Sequence, residues 1–133
     1  MAIPFLACMV AAASFYHLPP RVLPSIQAVE GGSVGSVSRN ADGSDDLGVM
    51  QVNTLWIEPI ARITGMSRDA VATRLVGDAC FNIAAAAAIM RTYLIEAHGD
   101  LMAAVGDYHS HTPALNEAYQ ALVLGQAARL FGR

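Results

Sequence analysis

The sequence predicts a mainly α, α+β fold, with about six to seven helices and a small β-hairpin or structured loop after the second helix. Three observations carry this expectation. Apolar residues recur at helical spacing through most of the chain. One long interruption, residues 33–53, is rich in Gly, Ser, Asn and Asp, with a turn signal at Asp42-Gly43. Proline and glycine pairs mark where the helices start and stop. The 133 residues suit one domain spanning positions 1–133, large enough to bury roughly two-thirds of its unfolded surface.

The elements follow in order. Phe5, Met9, Ala12, Ala13 and Tyr16 recur on one face of a first helix. Its apolar run, residues 3–15, is shorter than the ~20 residues a membrane span needs. The first basic residue is Arg21, so the run also lacks the positive start of a signal peptide. It reads as the first helix of a mature domain whose export signal is absent from this chain. Pro19-Pro20 precedes a second helix lined by Val22, Ile26 and Val29, which Gly31-Gly32 stops after Glu30. In the interruption, Val34, Val37, Val49 and Val52 flank the turn and mark a small hairpin or structured loop. Pro59 fits the first turn of a helix over residues 56–64, and Ser67 caps another that reaches about Leu75. The strongest helix covers residues 78–98, with Ile83, Ala87, Met90, Leu94 and Ala97 in one stripe. Its alanine run fits a central buried helix, because small side chains let neighbours approach closely. Asp100 and Thr112-Pro113 start the last two helices, the second reaching about Phe131.

Composition excludes several functions. Hydrophobic residues form 54% and charged residues 14%, which is incompatible with disorder. The net charge is -3 and the eight basic residues, all Arg, are scattered, so no basic patch offers itself to nucleic acid. His17, His98, His109 and His111 show no spacing that reads as a metal site, and Cys8 and Cys80 form no CxxC. The two cysteines are either buried free thiols or the ends of one long-range disulfide.

Glu30 is a lone carboxylate ending an apolar helix. A solvated helix end is the plain alternative. A helix C-terminus disfavours an anion and raises a carboxyl pKa, which is what a general acid requires. The segment 40–53 ends in Gly48-Val49-Met50-Gln51-Val52-Asn53. It is either a capped hairpin whose Asn and Asp side chains bond their own backbone, or a groove wall whose amides bond a sugar.

Taken together these motifs resemble the soluble lytic transglycosylases, in the branch that accompanies conjugation, pilus and secretion machines. Glu30-Gly31 matches the first motif, and Gly48-Val49-Met50-Gln51-Val52-Asn53 with Trp56 downstream matches the second. The third, usually Ala-Val-x-Ala-Tyr-Asn-x-Gly, is Ala104-Val105-Gly106-Asp107-Tyr108-His109-Ser110-His111 here. The resemblance covers nearly the whole chain. It implies a lysozyme-like fold and peptidoglycan glycan strands as partner, with components of a secretion or conjugation machine as further partners. Glu30 becomes the catalytic acid, with no metal or nucleotide cofactor. Gln51, Asn53 and Tyr108 are implied to position sugar and Glu30, with Tyr108 beside the glutamate. His109 and His111 replace the usual Asn and Gly; His109 keeps a donor for substrate, and a pair of surface histidines is the alternative. Cys8 and Cys80-Phe81-Asn82-Ile83 match the branch's cysteines, which implies a disulfide and a periplasmic or exported location. Residues 40–53 are also similar to the hairpin of animal c-type lysozymes, in which Asp46 takes the place of the second carboxylate. Trp56 either stacks on a sugar or, the better reading, plugs the core.

Overall fold

The computed structural model describes residues 2–132. Among them the chain runs α1 (Leu6–Phe15), α2 (Val22–Glu30), β1 (Val37–Arg39), β2 (Asp45–Leu47), β3 (Val52–Asn53), α3 (Ile57–Thr64), α4 (Arg68–Gly77), α5 (Ala79–Glu96), α6 (Leu101–His109) and α7 (Pro113–Phe131), with a single 3-10 turn at Thr54–Trp56. The fold is mainly α with a small sheet, as the periodicity predicts.

Local chemistry sets the helix ends. Ser67, Asp78 and Asp100 each accept a backbone N–H from the first turn of α4, α5 and α6. Gly31 ends α2 in the left-handed conformation at φ 67° and donates its N–H to the Gln27 carbonyl. Gly32 has a different constraint: a Cβ there would lie 2.1 Å from the Gly48 carbonyl oxygen, so this glycine lets α2 approach the sheet turn.

The interruption is a three-stranded antiparallel sheet in the order β1-β2-β3, one strand more than a hairpin. Val37 pairs with Leu47 across β1 and β2, and Asp46 pairs with Asn53 across β2 and β3. Of the four valines flanking the turn, only Val49 and Val52 are buried; Val34 and Val37 are exposed. A strand as short as β1 has both faces near solvent, so its apolar positions do not select a core face. Phe5 is likewise exposed, because α1 buries only Met9, Ala12 and Ala13.

Helix α5 is the centre. Its buried residues include Ile83, Ala86, Ala87 and Met90, and it packs against α1, α4 and α6. By length and composition it is apolar enough to cross a membrane, but here its buried face forms the core with its neighbours. Near its start two residues tie it to the rest of the chain. Asn82, fully buried, accepts the Met50 N–H at 2.8 Å and donates to the carbonyls of Leu47 at 2.8 Å and Leu75 at 2.9 Å. Cys80 forms a disulfide with Cys8 of α1, with Cα atoms 5.3 Å apart.

Thiol titration of the unfolded, unreduced protein is therefore expected to find no free thiol. The bridge spans a sequence separation of 72, and reducing it is expected to cost about 4 kcal/mol by the chain-entropy account. Two titratable thiols would refute the bridge.

Candidate active site

A cleft between the sheet and helices α5 and α6 encloses a cavity of about 400 Å³. Glu30, Asp46, Gln51, Asn53, Tyr108 and His109 all line it, so the fold brings together every residue singled out for chemistry or binding. They arrive from distant parts of the chain: Glu30 ends α2, Asp46 lies in β2, Gln51 precedes β3, Asn53 ends β3, and Tyr108 and His109 end α6.

Glu30 is half-buried. Burial pushes its carboxyl above the ordinary value, a hydrogen bond from Tyr119 pulls it down, and the nearby Asp46 charge raises it again; the net direction is up. The main cause is therefore desolvation, whereas the sequence argument pointed to the helix C-terminus. The Tyr119 hydroxyl donates to Glu30 Oε2 at 2.5 Å. Sequence reasoning missed Tyr119, because a tyrosine inside an Ala- and Leu-rich helix carries no signal beyond a core aromatic. The bond closes a separation of 89 residues.

Tyr108 lies in the same cavity and feels the charges of Glu30 and Asp46, but its hydroxyl donates to the Met50 carbonyl at 2.8 Å. Burial first, then those charges, hold its phenol well above the usual range. It fastens α6 to the sheet turn, and the hydrogen bond to Glu30 comes from Tyr119. His109 is exposed and stacks on Tyr119, with ring centroids 5.0 Å apart and planes 13° from parallel.

The amides of Gln51 and Asn53 are partly committed to the scaffold. Gln51 Nε2 donates to Ser36 Oγ at 3.2 Å and the Gly48 carbonyl at 3.0 Å. Gln51 also has φ 54°, a left-handed backbone rare outside glycine, which the turn from Gly48 imposes. Asn53 Nδ2 donates to Asp46 Oδ1 at 2.9 Å and Ser44 Oγ at 3.0 Å, while its oxygen caps the 3-10 turn at Leu55 N. Asn53 thus orients Asp46. Trp56 is half-buried and packs against the core, while also lining the cavity wall edge-on to Tyr93.

A second groove, of about 230 Å³, shares Glu30 and His109 with the first and is also lined by Tyr119 and by apolar residues such as Val29, Leu115 and Leu122. Glu30 borders both spaces. His111, farther along the cavity wall, is paired with Glu96 Oε1 at 2.6 Å and lies 3.8 Å from Asp107 Oδ2. The bond to Glu96 raises its imidazole above the ordinary range. Histidine spacing alone does not reveal this group, because one of its members is 15 residues away on α5.

Replacing Tyr119 by Phe removes a bond that favours the ionised carboxylate. The Glu30 pKa is expected to rise further, since the opposing burial remains. Carboxyl 13C NMR titration of wild-type and Tyr119→Phe proteins measures it; a downward shift would contradict the assignment.

No family model matches the chain. It is similar to the invasion protein IagB of Salmonella typhimurium and of Salmonella typhi, at 27% identity over 106 residues. The matched region covers 79% of this chain and 62% of those relatives, so the chain spans less than two-thirds of their length.

Proposed function

We propose that this chain is a peptidoglycan lytic transglycosylase of lysozyme-like fold, its residues 1–133 acting as one catalytic domain with Glu30 as the acid and base. The observation that carries the reading is Glu30 itself: a carboxyl raised by burial, held by one hydroxyl and facing a polar cleft. Its position on the border of two spaces suits a polymer that extends to either side of the cut.

Protonated Glu30 donates to the glycosidic oxygen of the β-1,4 bond between N-acetylmuramic acid and N-acetylglucosamine. The C1–O bond breaks with assistance from the substrate's acetamido group. Glu30, now a carboxylate, takes the proton of the muramic acid C6 hydroxyl as that oxygen attacks C1. The product is a 1,6-anhydro sugar, no water is consumed, and Glu30 ends protonated as it began. The Tyr119 bond stabilises the carboxylate form midway. Gln51, Asn53, Tyr108 and His109 line the cavity that would receive the sugar, with Asn53 also holding Asp46 and Tyr108 the turn.

A hydrolase is the second reading, and the position of Asp46 favours it specifically. Asp46 lines the same cavity and acts electrostatically on Glu30, as a second carboxylate supporting a retained intermediate does. The disulfide supports an oxidising, periplasmic or exported setting. The similarity to proteins named for invasion supports service to a secretion or conjugation apparatus.

The test is digestion of purified peptidoglycan followed by mass spectrometry of the released muropeptides. Anhydro-muropeptides are expected. Reducing-end products would establish the hydrolase and give Asp46 the second role; absence of both would leave a glycan-binding module.

A further inference from the structure

We propose that Glu96, Asp107 and His111 form a binding site for one first-row divalent transition-metal cation, Zn2+ by preference, on the cleft wall outside the Glu30–Tyr119 pair. The three residues come from the last turn of α5, from α6 and from the connection to α7. Each offers one ligand atom, and the three atoms lie within 4.8 Å of one another.

The three ligand atoms lie within side-chain adjustment of a cation's donor spacing. Around tetrahedral Zn2+, with bonds of about 2.0–2.1 Å, donor atoms lie roughly 3.3 Å apart. The observed contacts from His111 Nε2, 2.6 Å to Glu96 and 3.8 Å to Asp107, fall either side of that spacing. Glu96 and His111 are exposed at their side chains, so rotations there complete the set without moving the backbone.

Asp107 is held for the purpose. The buried Asn116 donates Nδ2 to Asp107 Oδ1 at 2.8 Å, leaving Oδ2 as the oxygen nearest His111. Asn116 is itself fixed by Gln120 at 2.6 Å, and its amide also reaches the carbonyls of Ala103 and Ser110. Outer hydrogen bonds of this kind orient metal-binding carboxylates. The Tyr93 ring meets the His111 ring edge-on, with centroids 5.3 Å apart.

Donor chemistry selects the ion. One imidazole with two carboxylates suits Zn2+ and its first-row neighbours, whereas Ca2+ and Mg2+ prefer oxygen alone and more ligands. The competing state is the His111–Glu96 ion pair, which accounts for the same contact without a cation. An exposed pair contributes little stability, so a cation displaces it easily. Three protein ligands leave a coordination position free, and Asp107 and His111 line the cavity, so that position opens into the cleft.

Isothermal titration of tag-free protein with ZnCl2 tests the site without any assumption about catalysis. One Zn2+ per chain is expected, with affinity weakened roughly tenfold or more in both His111→Ala and Glu96→Gln and unchanged in His98→Ala. Co2+ should give a visible absorption band with the wild type and none with His111→Ala, and circular dichroism checks that each variant is folded. Equal affinity in all four proteins, or no saturable binding at millimolar ZnCl2, would overturn the proposal.

Discussion

Replacing Glu30 by Gln is expected to lower the rate of glycan cleavage by about a thousandfold or more, since one positioned acid and base contributes ~10²–10⁴ and the proposed mechanism gives this group both roles. The amide keeps the size and an acceptor for the Tyr119 hydroxyl, so the cleft keeps its shape while the transferable proton is lost. The same substitution is expected to raise stability at neutral pH by roughly 1 kcal/mol, as active-site replacements of strained or desolvated groups commonly do. The sign follows from linkage. The folded pKa of Glu30 is raised above its ordinary value of 4.5, so folding favours the protonated form. The ionised group weakens the fold at pH values above the folded pKa, and that penalty vanishes as pH falls below the unfolded value. The gain from Glu30→Gln should therefore be present at pH 7 and absent near pH 4. Thermal melts at the two pH values, beside a turnover assay, check both halves. Surviving turnover would remove Glu30 from the mechanism, and a gain of equal size at both pH values would remove its raised pKa.

Asn82→Ala is expected to be the most damaging single change to the fold that leaves the cleft residues untouched, costing about 3–5 kcal/mol. One side chain satisfies the Met50 N–H and the Leu47 and Leu75 carbonyls, all in a dry environment. Alanine leaves those three backbone groups unpaired, and each buried orphan costs ~1–3 kcal/mol before water or relaxation recovers part of it. The site adapts poorly. Gly48 packs so tightly on Asn82 that a Cβ at position 48 would lie 2.6 Å from its amide nitrogen. Urea unfolding measures the loss; a change under ~1 kcal/mol would mean that the turn carrying Gln51 is held by something else.

The comparison of sequence with structure divides along physical lines. Helices announce themselves through short-range rules, so Asp78, Asp100 and Gly31 mark ends that hydrogen bonds then realise. The stripe from Ile83 to Met90 is buried as its spacing predicts. Glu30 stands out because a helix, a carboxylate and two glycines adjoin in the chain. What stayed hidden depends on distant partners. Tyr119 gains meaning only from α2, and Asn82 only from the sheet turn. Gly32 looks like part of a helix stop, yet its job is to make room for Gly48. The third strand is two residues long, too short for period-two alternation to show. Tyr108 lines the cavity with its hydroxyl on the Met50 carbonyl, and which hydroxyl reaches Glu30 is decided by helix packing and not by motif order.

The bond between Tyr119 and Glu30 also sets the order in which the cleft is completed. A growing chain emerges from its N-terminus, and contacts between distant segments form late. Glu30 is made early, whereas the helix that supplies its hydroxyl partner is made last. Until α7 docks, Glu30 lacks its hydroxyl partner and the packing of α7 against α2. The finished surroundings of Glu30 are thus among the last features this polypeptide acquires, and on the function proposed above its half-assembled copies are inactive.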